Sequence, residues 1–142
     1  MMGGGLKKDK KFIKKIISQL IDGKKELNIV DDKFGTPTYT HDFANTVKVL
    51  IEKKLFGLYN MVCQGKTSRL EVAKHILKCL GKENSITINE VKSEFFSKEY
   101  FAPRPESEIL INKKLELRSI QEMNDWKSSL DDYIKNEFSH II

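Results

Sequence analysis

The chain has 142 residues, of which 39% are apolar and 32% charged, and a formal net charge of +5. That length and balance fit one packed domain and exclude an intrinsically disordered polymer. The charge is uneven, with eight lysines against Asp9 and Asp22 in residues 1–25, so the basic balance belongs to one helix and no nucleic-acid partner is expected.

In chain order, Phe12, Ile13, Ile16, Ile17, Leu20 and Ile21 fall on one stripe and predict a helix over 12–21. Asp9 stands where a cap belongs and Gly23 where a left-handed stop belongs. Lysines 10, 11, 14 and 15 occupy the other face. The stripe reads as core-facing with solvated lysines, or as a membrane-surface helix. The lack of a tryptophan anchor and the sheet-like sequence that follows favour the core. No apolar run approaches the roughly 20 residues of a membrane span. Met1-Met2-Gly3-Gly4-Gly5 leads into lysines and not into a signal-peptide core.

Residues 27–30 read as a strand and 31–38 as a loop marked by Gly35 and Pro37. A helix over 40–54 is expected to bury Phe43, Ala44, Val47, Leu50 and Ile51, and Gly57 opens a strand over 58–62. Ser68-Arg69-Leu70-Glu71 is a capping box. It starts a helix that buries Leu70, Ala73, Ile76, Leu77 and Leu80 and ends at Gly81. Residues 85–91 alternate like a strand, 93–97 make a helical turn, and Pro103-Arg104-Pro105 stiffens a loop. A short helix follows over 112–117. The last helix begins at Asn124 or Asp125 and buries Trp126, Leu130, Tyr133, Ile134 and Phe138. These strands are too few and scattered for a sheet of their own, so the chain reads as part of a larger fold.

Catalytic sets are scarce. There is no GxxxxGK[ST], GxGxxG or HExxH motif. His75 and Cys79 stand four apart on a helix, a spacing that permits shared metal ligation, but no second pair accompanies them and no metal is assigned. Asp31-Asp32 and Asp131-Asp132 read as solvated charge. Gly3-Gly4-Gly5 reads as a flexible start or a weak phosphate cradle. Cys63 and Cys79 are too few for a disulfide framework and fit a reducing, cytoplasmic setting.

Four ordered blocks carry a family likeness. Residues 31–44, DDKFGTPTYTHDFA, resemble the DxFGxPTYxxDxA segment of the dTDP-4-dehydrorhamnose reductase family, among the extended short-chain dehydrogenase/reductases. Gly57-Leu58-Tyr59-Asn60 is similar to its GxYN/H strand, residues 67–73 to its SRxExA helix start, and residues 102–107 to its xRPxxS loop. Trp126 and its helix match the closing segment.

The resemblance implies an α/β fold: a helix-rich C-terminal substrate-binding lobe with a few short strands, whose Rossmann half is absent. Residues 1–26 would be a late Rossmann-strand tail and a linking amphipathic helix. The family's Tyr-x-x-x-Lys pair has no match, since Phe43, Cys63, Arg104 and Glu137 stand four after the tyrosines. NADPH is implied for the full-length family, with no cofactor or catalytic residue in this chain, which is expected to be inactive alone. Its expected partners are a dTDP-sugar, the missing Rossmann half and, through an uncovered apolar face, a second copy. Phe34, Gly35, Thr36, Pro37, Thr38, Asn60 and Arg104 would contact the nucleotide-sugar, Arg104 at its diphosphate. From the residues alone, Arg104 could instead pair with Glu106 or Glu108, Thr38 and Thr40 could cap a helix, and Asn60 could bond backbone. The other readings are a non-catalytic regulatory or binding module of the same family and a fragment of an NAD-dependent nucleotide-sugar epimerase or dehydratase.

Overall fold

Three helices and one strand meet around the core. The computed structural model describes residues 1–9, 11–98, 105–120 and 122–139. A four-residue α1 (Gly5–Lys8) precedes α2 (Phe12–Ile21), which sinks Ile13, Ile16 and Ile17 into the interior. The core reading of that stripe therefore holds. Asp9 accepts from the Lys11 amide (2.7 Å). Gly23, at φ 79°, closes the helix while the Lys24 amide reaches back to the Gln19 carbonyl (3.0 Å).

The strand β1 (Glu26–Val30) pairs in parallel with β4 (Thr87–Val91), in register from Glu26 opposite Thr87 to Val30 opposite Val91. Between them run β2 (Phe34–Gly35), α3 (Thr40–Glu52), β3 (Thr67–Ser68) and α4 (Arg69–Cys79). A 3-10 turn (Ser93–Phe96), α5 (Lys113–Glu116) and α6 (Trp126–Phe138) complete the order. The α4 face of Val72, Ala73, Ile76 and Leu77 packs on β1, α2 and the α6 face of Leu130, Tyr133, Ile134 and Phe138. At about 0.8 kcal/mol per buried methylene, these aliphatic and aromatic side chains supply most of the driving force.

Three expectations change. The loop over 31–38 contains β2, which pairs antiparallel with β3, Phe34 opposite Ser68 and Gly35 opposite Thr67. No ladder forms over 58–62. Instead the buried Asn112 side chain brackets Val62, accepting from its amide (3.0 Å) and donating to its carbonyl (2.7 Å), which does a strand partner's work for one residue. The face of α3 is also turned. Asp42, Thr46 and Leu50 are buried, whereas Ile51 is 61% exposed and Ala44 exposed.

Asp42 explains that rotation. Its carboxylate accepts from Ser129 Oγ (2.5 Å) and Asn124 Nδ2 (3.1 Å), with Cys63 Sγ 3.6 Å away. A carboxylate so supplied with donors is held inside, and the helix turns to put it there. Near the start of the chain, the Met2 amide donates to the Thr38 carbonyl (2.8 Å) and the Thr40 amide to the Met2 carbonyl (2.9 Å). Gly3 passes against Thr40 at φ 147°, where any Cβ would collide with the threonine hydroxyl.

Candidate functional site

The segment after β1 is held at several points. Asp31 pairs with Lys92 (2.9 Å), and Asp32 accepts from the Ser93 amide (3.1 Å) and hydroxyl (2.9 Å). Burial pushes the Asp32 carboxyl upward, but the Ser93 bonds outweigh it and leave the group below its ordinary range. Phe34 donates its amide to the Glu106 carbonyl (2.8 Å) and accepts at its own carbonyl from the Glu108 amide (3.0 Å). Thr36 Oγ1 donates to the Gly65 carbonyl (2.7 Å). A short segment without helix or long strand is thereby fixed from three directions.

Beside it starts α4. Ser68 Oγ accepts from the Glu71 amide (3.1 Å) and Glu71 Oε2 accepts from the Ser68 amide (2.8 Å), the reciprocal box expected from the sequence. The bond from the Ser68 amide holds the Glu71 carboxyl below its usual range. The box fixes the first turn, and the Arg69 amide donates to the Lys33 carbonyl (3.1 Å), which ties the helix start to the segment before Phe34.

Between these pieces lies a recess of about 160 Å3, lined by Phe34, Gly35, Thr36, Pro37, Thr67, Ser68 and Arg69, with Phe12, Lys11, Lys33 and Pro105 at its sides. Phe34 offers a half-exposed ring. The Arg69 guanidinium sits 5.9 Å from the centre of the Phe12 ring, a contact that steadies it without consuming its donors. Three cationic side chains, Lys11, Lys33 and Arg69, stand against Asp9 and Glu108 in the lining. Asp9 is already engaged by Tyr133 Oη (2.8 Å) and the Lys11 amide. The positive end of the α4 dipole adds to a field that favours an anion.

The expected residues divide on this geometry. Phe34, Gly35, Thr36 and Pro37 share the recess. Thr38 is buried behind it, accepting from the Cys63 amide (3.3 Å) and donating to the Thr36 carbonyl (3.4 Å). Neither Thr38 nor Thr40 caps α3 through its side chain, since Tyr39 holds the cap position. Asn60 is outside the recess and donates to the Ile111 carbonyl (3.3 Å), the backbone alternative. Arg104 lies outside the described residues. In the sequence Arg69 reads only as part of a helix start. Its signal was its place directly after a cap serine, where a side chain is carried by the most firmly fixed turn of a helix.

A family model described as the RmlD substrate binding domain matches residues 5–138. The chain belongs to that family. Among the relatives, the spore coat polysaccharide biosynthesis protein SpsK of Bacillus subtilis is 31% identical over 121 residues, covering 85% of this chain and 41% of SpsK. A crystal structure of dTDP-4-dehydrorhamnose reductase from Yersinia enterocolitica superposes with a TM-score of 0.84 at 31% identity, over 94% of this chain and 46% of that one. The Bacillus anthracis reductase, solved in complex with NADP, gives 0.79 at 28% identity, over 92% and 44%. The chain thus spans less than half the length of these relatives. The resemblance carried by the four sequence blocks and the α/β substrate-lobe fold are both borne out.

Proposed function

We propose that this RmlD-type lobe binds a dTDP-sugar and serves a dTDP-4-dehydrorhamnose reductase-like reaction, in which a 4-keto sugar nucleotide is reduced with NADPH. The observation that carries the reading is the recess, which joins an exposed aromatic ring, a turn rich in small residues and a stacked arginine. The Phe34 ring offers a flat apolar face to a sugar or base. Arg69 presents a planar fork that matches phosphate oxygens and stays charged at any working pH. At about 160 Å3 the recess is smaller than the roughly 300–1,000 Å3 clefts that enclose whole ligands. It accordingly grips one part of the nucleotide-sugar, with a second surface completing the cleft.

NADPH does not fit the residues present. The one glycine run, Gly3 to Gly5, opens a helix of only four residues, and Thr40, Lys8 and Glu137 stand where its glycines would face a ligand. In this reading the cofactor and the Tyr-x-x-x-Lys pair come from a Rossmann half outside this chain, and Arg104 and Thr38 remain members of the substrate set, the latter by shaping the turn. The assignment of residues 1–26 to a strand tail and linking helix, and a cytoplasmic setting, belong to the same proposal.

Isothermal titration with a dTDP-sugar tests it. Wild-type chain is expected to bind, and Arg69→Ala to bind about ten- to a hundredfold more weakly, the worth of a charge-assisted pair. Folded wild-type protein that takes up no heat, or an Arg69→Ala affinity equal to wild type, would overturn the proposal. NADPH oxidation with a keto-sugar is expected to stay at blank for the chain alone.

A further inference from the structure

Further along α4, about 9–15 Å from Arg69 at 1.5 Å per residue, three side chains converge that the substrate recess does not use. His75 and Cys79 lie one turn apart on α4, and α6 brings Asp131 to them. Asp131 Oδ1 stands 2.7 Å from His75 Nε2 and 2.9 Å from Cys79 Sγ. The sequence offered only the pair on α4. The packing of α6 supplies the third group, from 52 residues further on.

We propose that His75, Cys79 and Asp131 form a binding site for a soft or borderline divalent transition-metal ion, of the zinc or cobalt class. The ligand atoms lie within 4.8 Å of one another. Around a tetrahedral ion with bonds of about 2.0–2.3 Å, ligand atoms sit about 3.4–3.6 Å apart. The present 2.7 and 2.9 Å contacts therefore need to open by about 0.5–0.8 Å on that geometry. Asp131 is free to do this, because its side chain is 54% exposed while that of His75 is only 16% exposed. The imidazole is fixed edge-on against Trp126, ring centres 5.4 Å apart, so the nitrogen is pre-aimed and the carboxylate adjusts. One nitrogen, one sulfur and one oxygen leave a fourth position for water.

The chemistry of the donors selects the ion. Binding replaces the S–H bond with a metal–sulfur bond and releases one proton to solvent. Hard ions such as Mg2+ or Ca2+ want oxygen ligands and gain little here. Lys78, Lys82 and Lys135 border the same recess, which further disfavours an ion held by charge alone and leaves the thiolate bond as the source of affinity. This inference does not depend on the nucleotide-sugar reading.

Cobalt titration of the metal-free full chain, followed by absorption and by fluorescence of Trp126, the single tryptophan, tests the site. One equivalent of Co2+ is expected to produce a near-ultraviolet thiolate-to-cobalt charge-transfer band and to quench the Trp126 emission, both reversed when Zn2+ displaces it. Cys79→Ser is expected to abolish the band and Cys63→Ser to leave it. Asp131→Asn, which keeps the volume and spares the fold, is expected to weaken binding at least about tenfold, as loss even of outer-shell partners does. Absence of the band in folded wild-type chain, or a band that survives Cys79→Ser, would overturn the proposal.

Discussion

Asp42 shows how far a single residue can differ from its local reading. It lies in the first turn of α3, where a solvated carboxylate would already suit the helix dipole. What the sequence does not display is Ser129, 87 residues on, and Asn124, which drive it inward. Asp42→Ala leaves the buried Ser129 hydroxyl without this acceptor and is expected to cost about 1–3 kcal/mol, read as a lowered urea midpoint. Phe34 is the contrasting case. The residue is 47% exposed, so Phe34→Ala is expected to change stability by less than about 0.5 kcal/mol while weakening dTDP-sugar binding. A large fall in thermal midpoint for Phe34→Ala would mean that the ring is part of the core and not a ligand platform. The motif residues at 34–37 were legible because they sit in one contiguous block. Arg69 was harder to single out because its partners in the recess come from three separate stretches of chain.

At the scale of elements, the helices from α2 onward and the five-residue strands β1 and β4 were legible, and the two-residue strands were not. The ends of α2 and α4 follow from Gly23, the Ser68–Glu71 box and Gly81, since caps are local chemistry. Residues 58–62 have a strand's composition, yet strand formation needs a neighbour, and Asn112 replaces one with two side-chain bonds. Conversely β2 has only two residues and no pattern to find. Ser68→Ala is expected to destabilise by about 1 kcal/mol and, because the box fixes the turn bearing Arg69, to weaken ligand binding as well.

The same box carries a pH signature. Glu71 is held below its ordinary 4.5, so its contribution is present above pH 4.5 and is lost as the pH falls through the lower native value. Stability is expected to drop less steeply below pH 4.5 in Glu71→Gln than in wild type. Equal slopes in denaturation at pH 3 and 6 would remove the box from the account. Gly65 joins the elements across the site. It lies at φ 86°, its carbonyl receives Thr36, and a Cβ there would come within 2.9 Å of the Trp126 ring. Gly65→Ala is expected to cost about 1–3 kcal/mol and to loosen the turn over 34–37.

For the whole molecule, the helix-rich α/β lobe was legible, and so was the scarcity of strands, which form two separate two-stranded sheets among the described residues. The parallel β1–β4 pairing was not, because its register depends on the long segment over 31–86 between the two strands and on the helices it folds into. No helix among the described residues is long and apolar enough to cross a membrane. One arrangement organises the functional account: the turn over 34–37 and the capped start of α4 face each other across a single recess, while the His75, Cys79 and Asp131 group sits further along the same helix.

Amide chemical-shift mapping with a dTDP-sugar tests that arrangement most directly. The account expects the shifts to concentrate at Phe34, Gly35 and Thr36, at Thr67, Ser68 and Arg69, and at Phe12, with Asn60 and Cys79 unmoved. Shifts centred on Asn60 and Ile111, or a spectrum of folded protein that no dTDP-sugar perturbs, would contradict it.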